Sequence, residues 1–142
     1  CGLAGLLLGA ICLAFRSSGV GRGPAWNWLA AFGLLFGAYS WLEALAQADL
    51  EPHRLVQAIL PALSCAALLE FGRRGVARDA KTWLPAWVTP AALAVAWSGW
   101  AAGPDGFAAA WRYALALPGG LLAARTLLIA SRLLTDKGRG GL

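Results

Sequence analysis

The chain has 142 residues, 59% of them hydrophobic and 13% charged, with a mean hydropathy of +0.62 and a formal net charge of +5. A soluble domain carries roughly 25% charged residues, so this composition excludes a water-soluble fold and predicts an all-α membrane protein. The basic residues fall in short clusters between apolar runs, the pattern of membrane orientation rather than of a groove for nucleic acid.

Cys1 to Phe15 is an apolar run closed by Arg16, about fifteen residues against the roughly twenty of a spanning helix, and reads as an incomplete first span. A start at Cys1 and the absence of methionine suggest a fragment, one transmembrane domain over residues 1–142. Gly2, Gly5 and Gly9 form a small-residue stripe that lets a neighbouring helix approach, or reflect the glycine content of membrane helices in general. RSSGVGRGPAWNW, with its serines, glycines and proline, reads as a loop leading into the second span.

That span covers residues 26–47, with Trp26 and Trp28 at one end and Trp41 towards the other, as expected of rings at two headgroup levels. Gly33 and Gly37 make a GxxxG pair. Glu43, near the far end, is either a solvated carboxylate or part of a polar cluster facing the bundle. ADLEPHR is a tight connection, so the helices it joins are antiparallel neighbours. His53 within it has no companion ligands; no metal, haem or other cofactor is expected, and a modest pH response is the most it offers.

The third span, residues 55–72, sits in LVQAILPALSCAALLEFGRR and organises the chain. Pro61 removes a backbone donor near its middle and predicts a kink, with Gln57 and Ser64 nearby as polar partners. Gln57, Pro61, Ser64 and Leu68 share one face, while Leu63, Ala67, Glu70 and Arg74 share another. Cys12 and Cys65 lie in apolar runs and act as small hydrophobes.

The fourth span, residues 83–102, has Trp83 and Trp87 near one end and Trp97 and Trp100 near the other. Pro85 is tolerable in its first turn, whereas Pro90 is expected to bend it. GPDGFAAAW reads as a turn before the fifth span, residues 112–134, in which Pro118, Gly119 and Gly120 form the most deformable point, a hinge. The tail TDKGRGGL is polar and reads as a linker.

Alternating five spans gathers Arg16, Arg22, Arg73, Arg74, Arg78, Lys81, Arg132, Lys137 and Arg139 on one side, and Arg54 and Arg112 with Asp49, Glu51 and Asp105 on the other. The rule that basic loops stay inside then predicts a polytopic bundle with its N-terminus out and its C-terminus cytoplasmic. Arg125 falls about thirteen residues into the fifth span, where a charge costs at least about 2.5 to 3.5 kcal/mol, and Glu70 is placed at a similar depth. A Glu70–Arg125 pair is the economical expectation, either as a packing lock or as a switch; Arg125 reaching towards the inner headgroups is the alternative. Glu43 with Arg112 offers an analogous, weaker pair on the outer side.

No GxSxG elbow, HExxH or phosphate-binding glycine loop occurs, so an enzyme is not expected. FGLLFGAYSWLEAL, SCAALLEFGRR and RYALALPGGLLAA resemble an uncharacterised multi-pass N-terminal membrane region of bacterial sensor histidine kinases and diguanylate cyclases, over roughly residues 26–125. Members of that family often carry a histidine where Phe36 stands and an acid where Ser40 stands; without them a proton or ligand role for the second span loses its residues. The resemblance implies a sensory input module in the bacterial inner membrane, with the lipid bilayer as its surroundings, further spans and a cytoplasmic output domain in the parent, and homodimerisation through that parent. The alternative is a small multi-pass transporter or channel component, lined by Gln57, Ser64, Glu43, Glu70 and Arg125.

Overall fold

The computed structural model describes residues 2–17, 26–47, 54–79 and 84–139. Among the described residues every regular element is helical: α1 (Gly2–Ser17), α2 (Trp26–Gln47), α3 (Arg54–Asp79), α4 (Val88–Ser98) extended by a 3-10 turn (Gly99–Ala102), α5 (Gly103–Trp111) and α6 (Leu117–Arg139). A π-helical turn, Arg112–Ala116, joins α5 to α6 as one continuous rod. Among the described residues two stretches, Trp26–Gln47 and Asp105–Arg132, are long and apolar enough to cross a membrane; Gly2–Ala14 is apolar but shorter.

Helix α3 is the centre. From Pro61 to Gly72 it is buried at every position except the exposed Leu63 and the half-buried Leu68, because α2, α4, the π turn and α6 all pack on it. A helix apolar nearly all round can satisfy that pattern only inside other helices. Trp26 meets the Phe71 ring at 6.4 Å, so the start of α2 lies beside the end of α3 and the two run antiparallel. Gly119 backs onto Leu69, Gly72 onto Leu122 and Ala123, and Gly75 onto Thr126, so α3 and α6 run parallel.

Small residues make these approaches possible. A methyl group at Gly33 would stand 2.8 Å from the Gly5 carbonyl oxygen and 2.8 Å from the Gly9 nitrogen, and one at Gly5 would meet the Gly37 nitrogen at 3.0 Å. The stripe of α1 and the GxxxG pair of α2 are therefore two halves of one backbone-to-backbone contact. Bulk lies outside: Leu3, Leu7, Ile11, Trp41, Trp97 and Leu121 are each more than half exposed, whereas the buried set is rich in alanine and cysteine.

Three expectations change. The fourth helix starts at Val88 rather than Trp83, so Pro90 sits in the first turn, where its missing N–H has no partner to lose, and it bends nothing. GPDGFAAAW is not a turn but helix α5: Pro104 lies in its first turn, Asp105 suits the positive helix start, and the alanines favour the rest. The reversal is made instead at Gly103, whose φ of +87° suits glycine. The fifth helix accordingly begins nine residues before Arg112, and Pro118 is accommodated without a break. Its ring crowds the carbonyl four residues back, and the wider π turn, closed by Leu117 N–H donating to the Arg112 carbonyl, relieves that crowding.

Candidate functional site

Glu70 is the one acidic side chain among the described residues that is buried, with 7% of its surface exposed. It is held from its own helix and from the next. Arg73, three residues on, donates from Nε to Oε2 (2.8 Å) and from Nη2 to Oε1 (2.6 Å), and Arg74, four residues on, donates from Nε to Oε1 (2.5 Å). These are the spacings at which side chains stack on one helix face. Thr89, in the first turn of α4, donates its hydroxyl to Oε2 (2.9 Å).

The arginines extend the cluster. Arg73 Nη1 donates to the Leu84 carbonyl at 3.1 Å, fixing the chain just before α4. The guanidinium of Arg74 lies 5.2 Å from the centre of the Trp28 ring on α2, a cation–π contact. Glu70 raises the Arg73 pKa through their hydrogen bond, so that guanidinium stays charged. One carboxylate thus ties the end of α3 to the start of α4 and, through Arg74, to the start of α2. No buried side-chain nitrogen or oxygen among the described residues is left without a hydrogen bond. Beside the cluster, Thr126 Oγ1 lies 2.9 Å from the Leu122 carbonyl of its own helix and 3.3 Å from the Gly72 carbonyl of α3.

The expected Glu70–Arg125 pair is not formed. Both oxygens of Glu70 are taken by Arg73, Arg74 and Thr89, while Arg125 is exposed on α6. The parallel register explains why. Gly75 faces Thr126 and Leu69 faces Gly119, which sets Arg125 level with Arg74 and Glu70 level with Gly120. Glu70 and Arg125 are therefore about five residues apart along the axis, roughly 7 Å. Since the apolar stretch opens at Asp105, Arg125 lies about twenty residues along it, near its far end instead of its middle.

The remaining candidates do not converge on one path. Ser64 is fully buried, and its hydroxyl donates at 2.8 Å to the carbonyl of Pro61, serving its own helix; α3 runs unbroken through that proline. The Gln57 side chain lies outside the described residues, as do His53 and the loops that flank α2. Glu43 and Arg112 are both exposed and form no ion pair with each other. Gly119 is packed against the Leu69 backbone, with its Cβ position 3.1 Å from that nitrogen, while Gly120 has open space. Cys12 and Cys65 are buried free thiols. Among the described residues no three His, Cys, Asp or Glu side chains gather as a metal site.

Thr89 as a partner of Glu70, the Leu84 carbonyl as a partner of Arg73 and Trp28 as a partner of Arg74 were not legible in the sequence. With Glu70 assigned to Arg125, Arg73 and Arg74 were missed, although the i, i+3 and i, i+4 spacing of ExxRR is the signal that could have found them. No family model, curated protein or solved structure matches the chain.

Proposed function

We propose that this chain is the membrane-embedded sensory input region of a bacterial signal-transduction protein of the histidine-kinase or diguanylate-cyclase type. In this reading it is a five-span bundle in the inner membrane, N-terminus out and C-terminus cytoplasmic, within a homodimeric parent that carries the output domain. The observation that carries it is the Glu70 cluster: a carboxylate buried among apolar helices, gripping α3, α4 and, through Arg74, α2. An apolar exterior over a core of small side chains is the arrangement that lipid favours.

The mechanism follows from the contacts. A stimulus on the outer half or within the bilayer that displaces α4 strips Thr89 and the Leu84 carbonyl from the cluster. A buried carboxylate that loses donors must recruit others, so Arg73 and Arg74 re-form around it. Their backbone neighbours Gly72 and Gly75 bear directly on Leu122, Ala123 and Thr126, and α6 carries the displacement towards the output.

The test is to sequence the parent reading frame past Leu142 and to assay its output domain with Glu70→Gln and Thr89→Val. Altered basal or stimulated output at unchanged membrane abundance is expected. A frame without an output domain, or an output indifferent to both substitutions, overturns the reading.

A further inference from the structure

Arg74 is held in a way that its partnership with Glu70 does not use up. Its Nε is bonded to the carboxylate and its guanidinium carbon lies 5.2 Å from the centre of the Trp28 ring, so the group is held from two sides. Yet its side chain is 42% exposed, against 13% for Arg73, and its two Nη groups donate to no group among the described residues. A guanidinium fixed at one edge and open at the other presents two parallel N–H donors, the geometry that matches two oxygens of a phosphate. The charge sum of Glu70, Arg73 and Arg74 is +1, and Arg125 stands level with Arg74 on the neighbouring helix of α3. The aromatic rings at this level, Trp26 and Trp28, are side chains that favour the headgroup zone.

We propose that Arg74, oriented by Glu70 and Trp28, is a binding site for the phosphodiester headgroup of an anionic phospholipid at the basic end of the bundle. The proposal rests on the membrane reading above and adds a ligand class to the same cluster. Glu70 then has two roles: it holds α4, and it sets the free edge of Arg74 towards the lipid. The pairing is bidentate and charge-assisted, so losing it reads as roughly a tenfold or greater fall in affinity.

The experiment uses the 142-residue chain in nanodiscs of phosphatidylcholine doped with phosphatidylglycerol, followed by native mass spectrometry of the released protein and titration of the lipid. The wild-type chain is expected to retain phosphatidylglycerol in preference to phosphatidylcholine, Arg74→Gln to lose at least tenfold in that retention, and Arg74→Lys, which keeps the charge but not the fork, to fall between. Circular dichroism of each variant establishes that the helices remain; should Arg74→Gln fail to fold, the comparison of wild type with Arg74→Lys decides alone. Equal retention of both lipids, retention unchanged by either substitution, or equal protection by inorganic phosphate overturns the headgroup assignment. A chain that is washed from membranes at alkaline pH defeats the membrane reading instead, and the two failures are thereby distinct.

Discussion

Glu70 accepts four hydrogen bonds with two oxygens, and three of them come from guanidinium groups one turn away. Removing the carboxylate leaves Arg73, only 13% exposed along its side chain, as a cation without its partner. Breaking a buried pair from one side typically costs about 3 to 5 kcal/mol, and the half-exposed Arg74 lowers that figure because water screens its share. Glu70→Ala is therefore expected to destabilise the bundle by about 2 to 4 kcal/mol, read from reversible unfolding in mixed micelles. Thr89→Val removes one hydroxyl donor and should lose about 1 kcal/mol. Because Thr89 shares an oxygen with Arg73, the double variant should lose less than the sum of the two. Arg125 provides the contrast: it touches no part of this network, so Arg125→Ala should change stability by less than about 0.5 kcal/mol. A coupling above about 1 kcal/mol between Glu70 and Arg125 in a double-variant cycle would restore the ion pair that the register denies.

At the scale of the helices, glycine position separates contacts from hinges. A methyl at Gly72 would fall 2.5 Å from Leu122 Cβ and 2.8 Å from the Ala123 nitrogen, and the second of these is backbone that cannot rotate away. At Gly120 the same methyl meets nothing within 4 Å. Gly72→Ala is thus expected to force α3 and α6 apart and destabilise by about 1 to 3 kcal/mol, while Gly120→Ala gains up to about 1 kcal/mol of helix propensity. Thermal unfolding of the two variants side by side checks the pair of signs. The helical reading of the chain was legible because long apolar runs admit little else, and the facing glycines of α1 and α2 were legible because GxxxG spacing puts them on one stripe. The starts of α4 and of the α5 helix were not. Proline and glycine were read as interruptions, although proline in a first turn, as at Pro90 and Pro104, is a helix start. That nine-residue error in where the last helix begins is what placed Arg125 at mid-span and paired it with Glu70.

For the molecule as a whole, the membrane reading must account for α3, whose apolar run over residues 55–72 closes on Glu70, Arg73 and Arg74. Residues 55–72 carry one charged side chain, Glu70, and Arg73 and Arg74 follow at once, so the bonds among the three make that end of α3 tolerable in a bundle. Its neighbours supply the rest, since α2 and α6 cover it on both sides. If α3 and α4 cross with the others, the antiparallel packing of α2 on α3 fixes which connections share a side, and the rule that basic loops stay inside would make the Arg73 and Arg74 side the cytoplasmic one. Single cysteines introduced as Ala48→Cys, Ala80→Cys and Ala102→Cys, in a chain whose Cys1, Cys12 and Cys65 are replaced by serine or alanine, test this in intact cells. A membrane-impermeant thiol reagent should label positions 48 and 102 from outside and position 80 only after permeabilisation. Labelling of position 80 together with position 48 would mean that α3 does not cross; the Glu70 cluster would then join surfaces on one side of the membrane, and the five-span reading would give way to a bundle anchored by Trp26–Gln47 and Asp105–Arg132 alone.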